Sequence, residues 1–487
     1  MNRPLRRVAV FCGVLVLALL VRSTWVQFVQ AEELQSHKNN RRVAIERFAQ
    51  PRGDIIVAGK PITGSAETSG DFKYKRVFKD GPMYAPITGF FSQVYGANHL
   101  EALNDKLLSG TDDRLFLRHT LDMLTGEPRR GGDVVTTIDP AAQKAAYEGL
   151  GKKKGAVAAL DPRTGKILAL ASTPSYDPST IAGGSKEDRE AWERLAKDPD
   201  KPMNNRALKE VYPPGSTFKI LTAAAALEHG LYKDIDAPTD SPDPWTMPDT
   251  TTVLPNHSPT APCQNASLNV ALQHSCNNVY GKASSDLGKE KMRETAEKFG
   301  FNDAKVDTPV RAAESIFPKG MDRPQTAMSG IGQASVRATP LEVAMMTAAI
   351  ANDGKLMKPY LVDELRGPDL STLEKHDPEE MSQAASEDTA RKVQQMMEDT
   401  ATKGTGKAGL ISGVTVGAKT GTAQQGTDNS KPPLAWFISY AKKSDGSSPV
   451  AVAVMIDPED SVPRDQISGG GLAGPIAKKV MQAVLGQ

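Results

Sequence analysis

Three short stretches of this 487-residue chain combine residue types that can do nucleophilic chemistry. The first is Ser216 with Lys219, inside Tyr212-Pro213-Pro214-Gly215-Ser216-Thr217-Phe218-Lys219. A serine hydroxyl becomes a nucleophile when a base takes its proton, and a desolvated lysine that keeps its amine neutral is such a base. The second is Ser275-Cys276-Asn277, where a hydroxyl can relay a proton and a carboxamide can grip a substrate amide. The third is Lys419-Thr420-Gly421-Thr422, which offers an ammonium and two hydroxyls to a carboxylate. Gly421 there lets another chain come close to the backbone.

The local elements decide which of these patterns can work. Pro213-Pro214-Gly215 stops whatever precedes it, and the alanine-rich run that follows is a strong helix former. Ser216 is therefore expected at a helix start, where free N–H groups and the helix dipole favour an oxyanion. Lys219 follows one turn later on the same face. A second Ser-x-x-Lys pair, Ser439 with Lys442, lies in the strand-like run Phe437-Ile438-Ser439-Tyr440. An offset of three puts strand side chains on opposite faces, so that pair is discarded. Ser267-Leu268-Asn269 competes with the second stretch, but Ser267 reads as the N-cap of the helix that follows. Each stretch alone is a weak signal, since capping serines, Asn/Ser turns and Lys-Thr-Gly turns are common.

Along the chain, Arg3, Arg6 and Arg7 precede an apolar run from Val8 to Val21, which Arg22 separates from Trp25, Val26, Phe28 and Val29. The 22 positions from Val8 to Val29 are enough to span a hydrocarbon layer of roughly 30 Å as a helix. The absence of a clean small-x-small cleavage site and the interfacial Trp25 and Phe28 favour a retained anchor over a signal peptide. Basic residues on the short N-terminal side put everything after about residue 30 outside the cytoplasm. Residues 31–132 read as a small mixed domain, with Arg52-Gly53-Asp54 leading into a strand and Gly59, Pro61, Gly64 and Gly70 cutting hairpin-like pieces. A boundary is expected at Pro128-Arg129-Arg130-Gly131-Gly132. Beyond it, Asp133–Asp139 is strand-like and Pro140 opens an alanine-rich helix. The runs 155–161 and 166–171, split by Pro162-Arg163-Thr164-Gly165, form a hairpin signature. Further strands are expected near 413–419, 434–440 and 449–456 after a helix-rich middle, which implies one sheet closed by distant segments.

Composition narrows the function classes. Lys and Arg total 59 against 58 Asp and Glu, a net charge of +1 that removes the footprint of a nucleic-acid binder. Three cysteines and seven histidines leave no disulfide scaffold, no zinc module and no H-E-x-x-H pattern, and no Walker loop occurs. No metal or cofactor is therefore expected. Cys12 falls in the span and reads as packing. Cys263 and Cys276 lie outside the membrane under this topology, 13 positions apart, and are either a disulfide beside the site or a pair of buried thiols.

Ser-x-x-Lys on a helix start, then Ser-x-Asn, then Lys-Thr-Gly on a late strand is the ordered set of penicillin-binding proteins and class A β-lactamases. From residue 133 onward the chain resembles the penicillin-binding transpeptidase domain. The runs 133–139, Ala169-Leu170-Ala171-Ser172-Thr173-Pro174-Ser175-Tyr176-Asp177-Pro178 and 212–219 carry that resemblance. Arg52-Gly53-Asp54-Ile55 resembles the opening motif of the class B N-terminal domain, and cysteine at 276 looks most like the penicillin-binding protein A type. Too little chain precedes residue 133 for a glycosyltransferase domain, which disfavours class A.

The resemblance implies an α+β multidomain fold. It consists of a membrane helix (1–30), a pedestal or dimerisation-type domain (31–132) and a transpeptidase domain (133–487) with a central antiparallel sheet flanked by helices. It implies that Ser216 attacks the penultimate D-Ala carbonyl of a stem pentapeptide, that Lys219 takes the hydroxyl proton, and that Ser275 passes a proton to the leaving amine. Asn277 would bind the stem amide, and Lys419, Thr420, Gly421 and Thr422 would form the carboxylate site. Backbone N–H groups of Ser216 and Thr422 would make the oxyanion hole. The implied partners are stem peptides of a lipid-linked precursor, β-lactams, the membrane and proteins of the cell-wall synthesis or division machinery. A β-lactamase or D,D-carboxypeptidase on the same scaffold is the alternative. A β-lactam sensor would need several spans and a signalling domain, and an idle scaffold would not need an intact nucleophile and base.

Overall fold

The computed structural model describes residues 3–31, 34, 45–115, 130–426 and 429–487. Pro128 and Arg129, at the expected domain boundary, lie outside the described residues. Arg3–Phe28 forms one exposed helix, long and apolar enough to cross a membrane.

A five-stranded antiparallel sheet organises the larger part of the chain. Its strand order is Thr415–Gln425, Lys431–Lys442, Val450–Asp457, Lys154–Leu160 and Ile167–Thr173. The two early strands are the hairpin read from the sequence, and the three late ones arrive after about 240 residues in which helices outnumber strands. Near-continuous apolar runs such as 434–441 mark strands covered on both faces. Alternation sends Trp436, Ile438 and Tyr440 into one core and Ala435, Phe437 and Ala441 into the other.

Helices Pro140–Leu150 and Gly474–Leu485 cover the second face. Asp139 caps the first of them, its carboxylate accepting the Ala142 N–H at 2.8 Å, with Pro140 in the first turn. Pro340–Ala351 and Glu387–Lys403 cover the first face, and Lys219–Glu228 lies beyond them, fully buried over most of its length. That leaves Thr415–Gln425 as an edge strand with one side of its backbone unpaired.

A second five-stranded sheet draws on both sides of residue 132. Ile55–Val57 pairs parallel with Asp133–Thr136, which pairs antiparallel with Val362–Arg366; Thr372–Lys375 and Lys60–Pro61 complete the edges. The strand read at 133 therefore belongs to this sheet rather than to the larger one. Gly53 makes the joint close: a Cβ there would lie 2.0 Å from the Gly132 carbonyl oxygen. Beneath the sheet a buried ionic cluster forms. Glu101 receives Arg52 Nε and Arg76 Nε, each at 2.7 Å, and Arg52 also reaches Asp105 at 2.7 Å.

Candidate active site

The Pro-Pro-Gly stop does more than end a segment. Gly215 takes φ +55°, and Gly215–Phe218 is a single 3₁₀ turn that runs into the α-helix Lys219–Glu228. Ser216 thus lies in the 3₁₀ turn and Lys219 is the first residue of the α-helix. Tyr212 and Ala338 exchange backbone hydrogen bonds, and the Gly215 N–H donates to the Gly332 carbonyl at 3.0 Å. Ser216 is half-buried and lines a cavity of about 730 Å³.

Ser275 and Cys276 form a two-residue joint between helices, and Asn277 opens the second of them. Ser267 caps Leu268–His274, accepting the Val270 N–H at 3.2 Å, and so has no place in the cavity wall. Ser275 ends that helix at φ 58°, and Asn277 begins the next, Asn277–Leu287. A non-glycine residue held in the left-handed region stores strain that its surroundings must impose. Cys276 is bonded to Cys263, with Cα atoms 5.6 Å apart. Cys263 sits in the proline-rich segment that also supplies the Pro255 carbonyl to Asn277 Nδ2 (2.7 Å) and Asn256 Oδ1 to the Asn277 N–H (2.6 Å).

Lys419-Thr420-Gly421-Thr422 lies in the middle of its 11-residue strand, not at its end. Thr420, Thr422 and Gln424 share one face and line the cavity. Lys419 points the other way, fully buried, and its Nζ donates to Ser275 Oγ at 3.0 Å and to the Thr420 carbonyl at 2.7 Å. Lys219, equally buried, has its Nζ 2.7 Å from the Ser275 carbonyl, 2.7 Å from Asn277 Oδ1 and 3.2 Å from Ser275 Oγ. One hydroxyl, that of Ser275, thus lies between two buried amines. Burial drives Lys219 well below the ordinary lysine range, and the charge of Lys419 pushes the same way. Burial alone lowers Lys419 to about 7.

The cavity brings Ser216, Ser275, Asn277, Thr420 and Thr422 together; Lys219 and Lys419 stand behind its wall, and Gly421 packs against Thr217. Ser439 and Lys442 lie elsewhere: Ser439 is buried in the sheet, and Lys442 pairs with Glu398 at 2.9 Å. Sequence reasoning missed Asn256, His257, His274, Thr405 and the Ser468-Gly469-Gly470 segment, all of which line the cavity. The glycine run at 469–471 was a visible sign of close approach; the others carried no local signal. Among the described residues no group of three or more His, Cys, Asp or Glu side chains could hold a metal ion.

Residues 155–482 match the penicillin-binding protein transpeptidase domain, and residues 52–134 match the penicillin-binding protein A dimerisation domain. The chain belongs to the penicillin-binding protein transpeptidase family. Peptidoglycan D,D-transpeptidase PbpA of Mycolicibacterium smegmatis is 40% identical over all of this chain and 99% of its own length. The PbpA of Mycobacterium tuberculosis is 39% identical with the same coverage. The ceftriaxone acyl-enzyme of penicillin-binding protein A from M. tuberculosis superposes with a TM-score of 0.85 at 39% identity, covering 91% of this chain and 100% of that one. The fold is that of the family: an antiparallel sheet flanked by helices, with an apolar helix at the N-terminal end.

Proposed function

We infer that the protein is a peptidoglycan D,D-transpeptidase, which crosslinks stem peptides through a serine acyl-enzyme and is acylated by β-lactams. The observation that carries this reading is the convergence of Ser216, Ser275, Asn277, Thr420 and Thr422 on one cavity backed by two buried lysines. Whole-length similarity to D,D-transpeptidases from two organisms supports transfer over hydrolysis.

Ser216 Oγ attacks the carbonyl carbon of the penultimate D-Ala while the neutral Lys219 amine takes its proton. The oxyanion forms against the backbone N–H groups of Ser216 and Thr422. Collapse breaks the C–N bond, and the departing D-Ala nitrogen receives a proton through Ser275, whose hydroxyl contacts both amines. An amine of a second stem then attacks the ester, gives up a proton along the reverse path, and restores Ser216. Thr420 and Thr422 hold the terminal carboxylate with the Lys419 charge behind them, and Asn277 binds the stem amide. A β-lactam follows the first half of this course and remains attached.

Ser216→Ala tests the reading. Fluorescent penicillin should label the full chain in detergent and fail to label the variant, with mass spectrometry locating the adduct on Ser216. Equal labelling of both would overturn it.

Arg3, Arg6 and Arg7 in the first turns of the Arg3–Phe28 helix support a single-pass anchor with the catalytic part outside the cytoplasm. Division into an anchor to residue 30, a pedestal over 31–132 and a transpeptidase domain from 133 is supported by the end of the apolar helix at Phe28 and by two separate family matches, one ending at residue 134 and the other starting at 155. The 31–132 part is the natural place for contacts with proteins of cell-wall synthesis or division. Protease accessibility of the C-terminal part on intact protoplasts tests the topology; protection would reverse it.

A further inference from the structure

We propose that Trp436 is a positioning residue for acyl transfer: its buried indole sets the separation between the Ser216 turn and the Thr422 backbone. The proposal rests on the reading above and names a group that acts through others rather than on the substrate.

Trp436 is fully buried and among the largest side chains so placed. It stands directly across from Gly421 in the sheet register, one strand in from the edge. From there its indole Nε1–H donates to the Pro213 carbonyl at 3.1 Å, and its ring meets Tyr212 edge-on with centroids 6.4 Å apart. Both contacts fall on the residues that lead into Ser216.

Turn and strand meet with almost nothing between them. A Cβ on Gly421 would lie 2.8 Å from Thr217 Cγ2, 3.0 Å from Trp436 Cβ and 3.3 Å from the Pro214 carbonyl oxygen; one on Gly215 would lie 3.0 Å from the Thr422 oxygen. The side-chain atoms at this contact, on Thr217, Ala423 and Trp436, are apolar carbons, and apolar contact is non-directional. The other tethers of the turn, to Ala338 and Gly332, fix it against the 330–338 segment and not against the sheet. Among the described residues, the indole N–H supplies the directional bond from sheet to turn. Its own position is rigid, since Trp436 is paired to Gly421 on one side and Met455 on the other. Gly469 also abuts its carbonyl so closely that a Cβ would fall 1.9 Å from the oxygen.

An oxyanion is formed both when Ser216 is acylated and when the ester is resolved, and it occupies the same two N–H groups each time. A bond that sets their separation should therefore act equally on both steps, and not on the encounter that precedes them.

The decisive variant replaces Trp436 by benzothienylalanine, in which sulfur takes the place of the indole N–H and the ring shape is kept; Trp436→Phe accompanies it. Using the full chain in detergent and penicillin G, the acylation and deacylation rate constants should each fall about tenfold, the worth of one well-placed hydrogen bond. The dissociation constant of the non-covalent complex and the labelling stoichiometry should stay unchanged. Unchanged rate constants, a fall in acylation without a matching fall in deacylation, or fewer labelled molecules reacting at the normal rate would each overturn the proposal. Failure of penicillin to label the parent chain at Ser216 would instead strike the functional reading on which it stands.

Discussion

Two amines buried in one cluster, both within reach of the Ser275 hydroxyl, are poorly placed to hold two protons at once. Desolvation disfavours each ammonium, and the charge of Lys419 disfavours that of Lys219 further. Lys219 is held well below the ordinary lysine range, which suits the role of base proposed for it. Lys219→Ala should slow acylation by about 10²–10⁴-fold, the usual worth of a positioned base, as read by stopped-flow with a chromogenic cephalosporin. The pH profile follows from the signs. Acylation should rise with pH through the lowered value of Lys219, because only the neutral amine is a base. Lys419 loses its charge above about 7, so KM for a substrate with a free carboxylate should climb on that side. Stability has its own sign. Between about 7 and the usual value of 10.5 an unfolded Lys419 binds a proton that the folded one has released. Stability must therefore increase with pH across that window. In Lys419→Met this contribution to the slope should vanish, measured by urea unfolding at pH 7 and at pH 9.5.

At the scale of elements, glycine contacts hold the catalytic turn in place. Gly332, at φ +69°, leaves its Cβ position only 2.2 Å from the Gly215 carbonyl oxygen, and Gly421 leaves room for Thr217 on the opposite side. Gly332→Ala carries both a left-handed backbone strain of about 1–2 kcal/mol and a backbone clash, so it should lower the melting temperature as well as acylation. Gly421→Ala meets a methyl group at 2.8 Å rather than backbone, and its effect should be mainly kinetic. We expect acylation about 10²-fold slower with a much smaller thermal shift, the pattern of a displaced nucleophile. Comparable melting losses in the two variants would show that the strand and turn simply fold as one unit. The same geometry explains why Ser-x-x-Lys was legible and its helix type was not. Pro-Pro-Gly announces a stop, whereas the 3₁₀ turn is imposed by what presses on it.

Across the whole molecule, the smaller sheet stitches the N-terminal part to the rest, with strands from residues 55–61, 133–136 and 362–375. Its ionic cluster centres on the fully buried Glu101, which serves both Arg52 and Arg76, while Asp105 and Asp54 give each arginine a second, more exposed partner. Glu101→Gln leaves Arg52 with Asp105 and Arg76 with Asp54 as their remaining counter-charges and should cost about 3 kcal/mol, the low end for a broken buried pair, read as an early thermal transition. Penicillin labelling at low temperature should persist in that variant, because the cluster lies outside the cavity. Loss of labelling while the fold persists would mean that the two parts of the molecule communicate.

Residue types and local stop signals determined a great deal by themselves: the long apolar N-terminal helix, the early hairpin, the strands near 434–440 and 449–456, and the three motifs with their order. These are matters of periodicity and backbone freedom, which neighbours in the chain decide. Only tertiary structure decided that the strand at 133 joins the smaller sheet, that Lys419 sits behind the cavity wall instead of in it, and that Ser275 is shared by two amines. It also decided that Asn256, Thr405 and the chain around Ser468 complete the cavity, and that Trp436 reaches Pro213 across 223 positions. Contacts of that span arise from how sheet and helices pack. No window along the polypeptide holds both partners, so their chemistry was invisible until the chain had closed on itself.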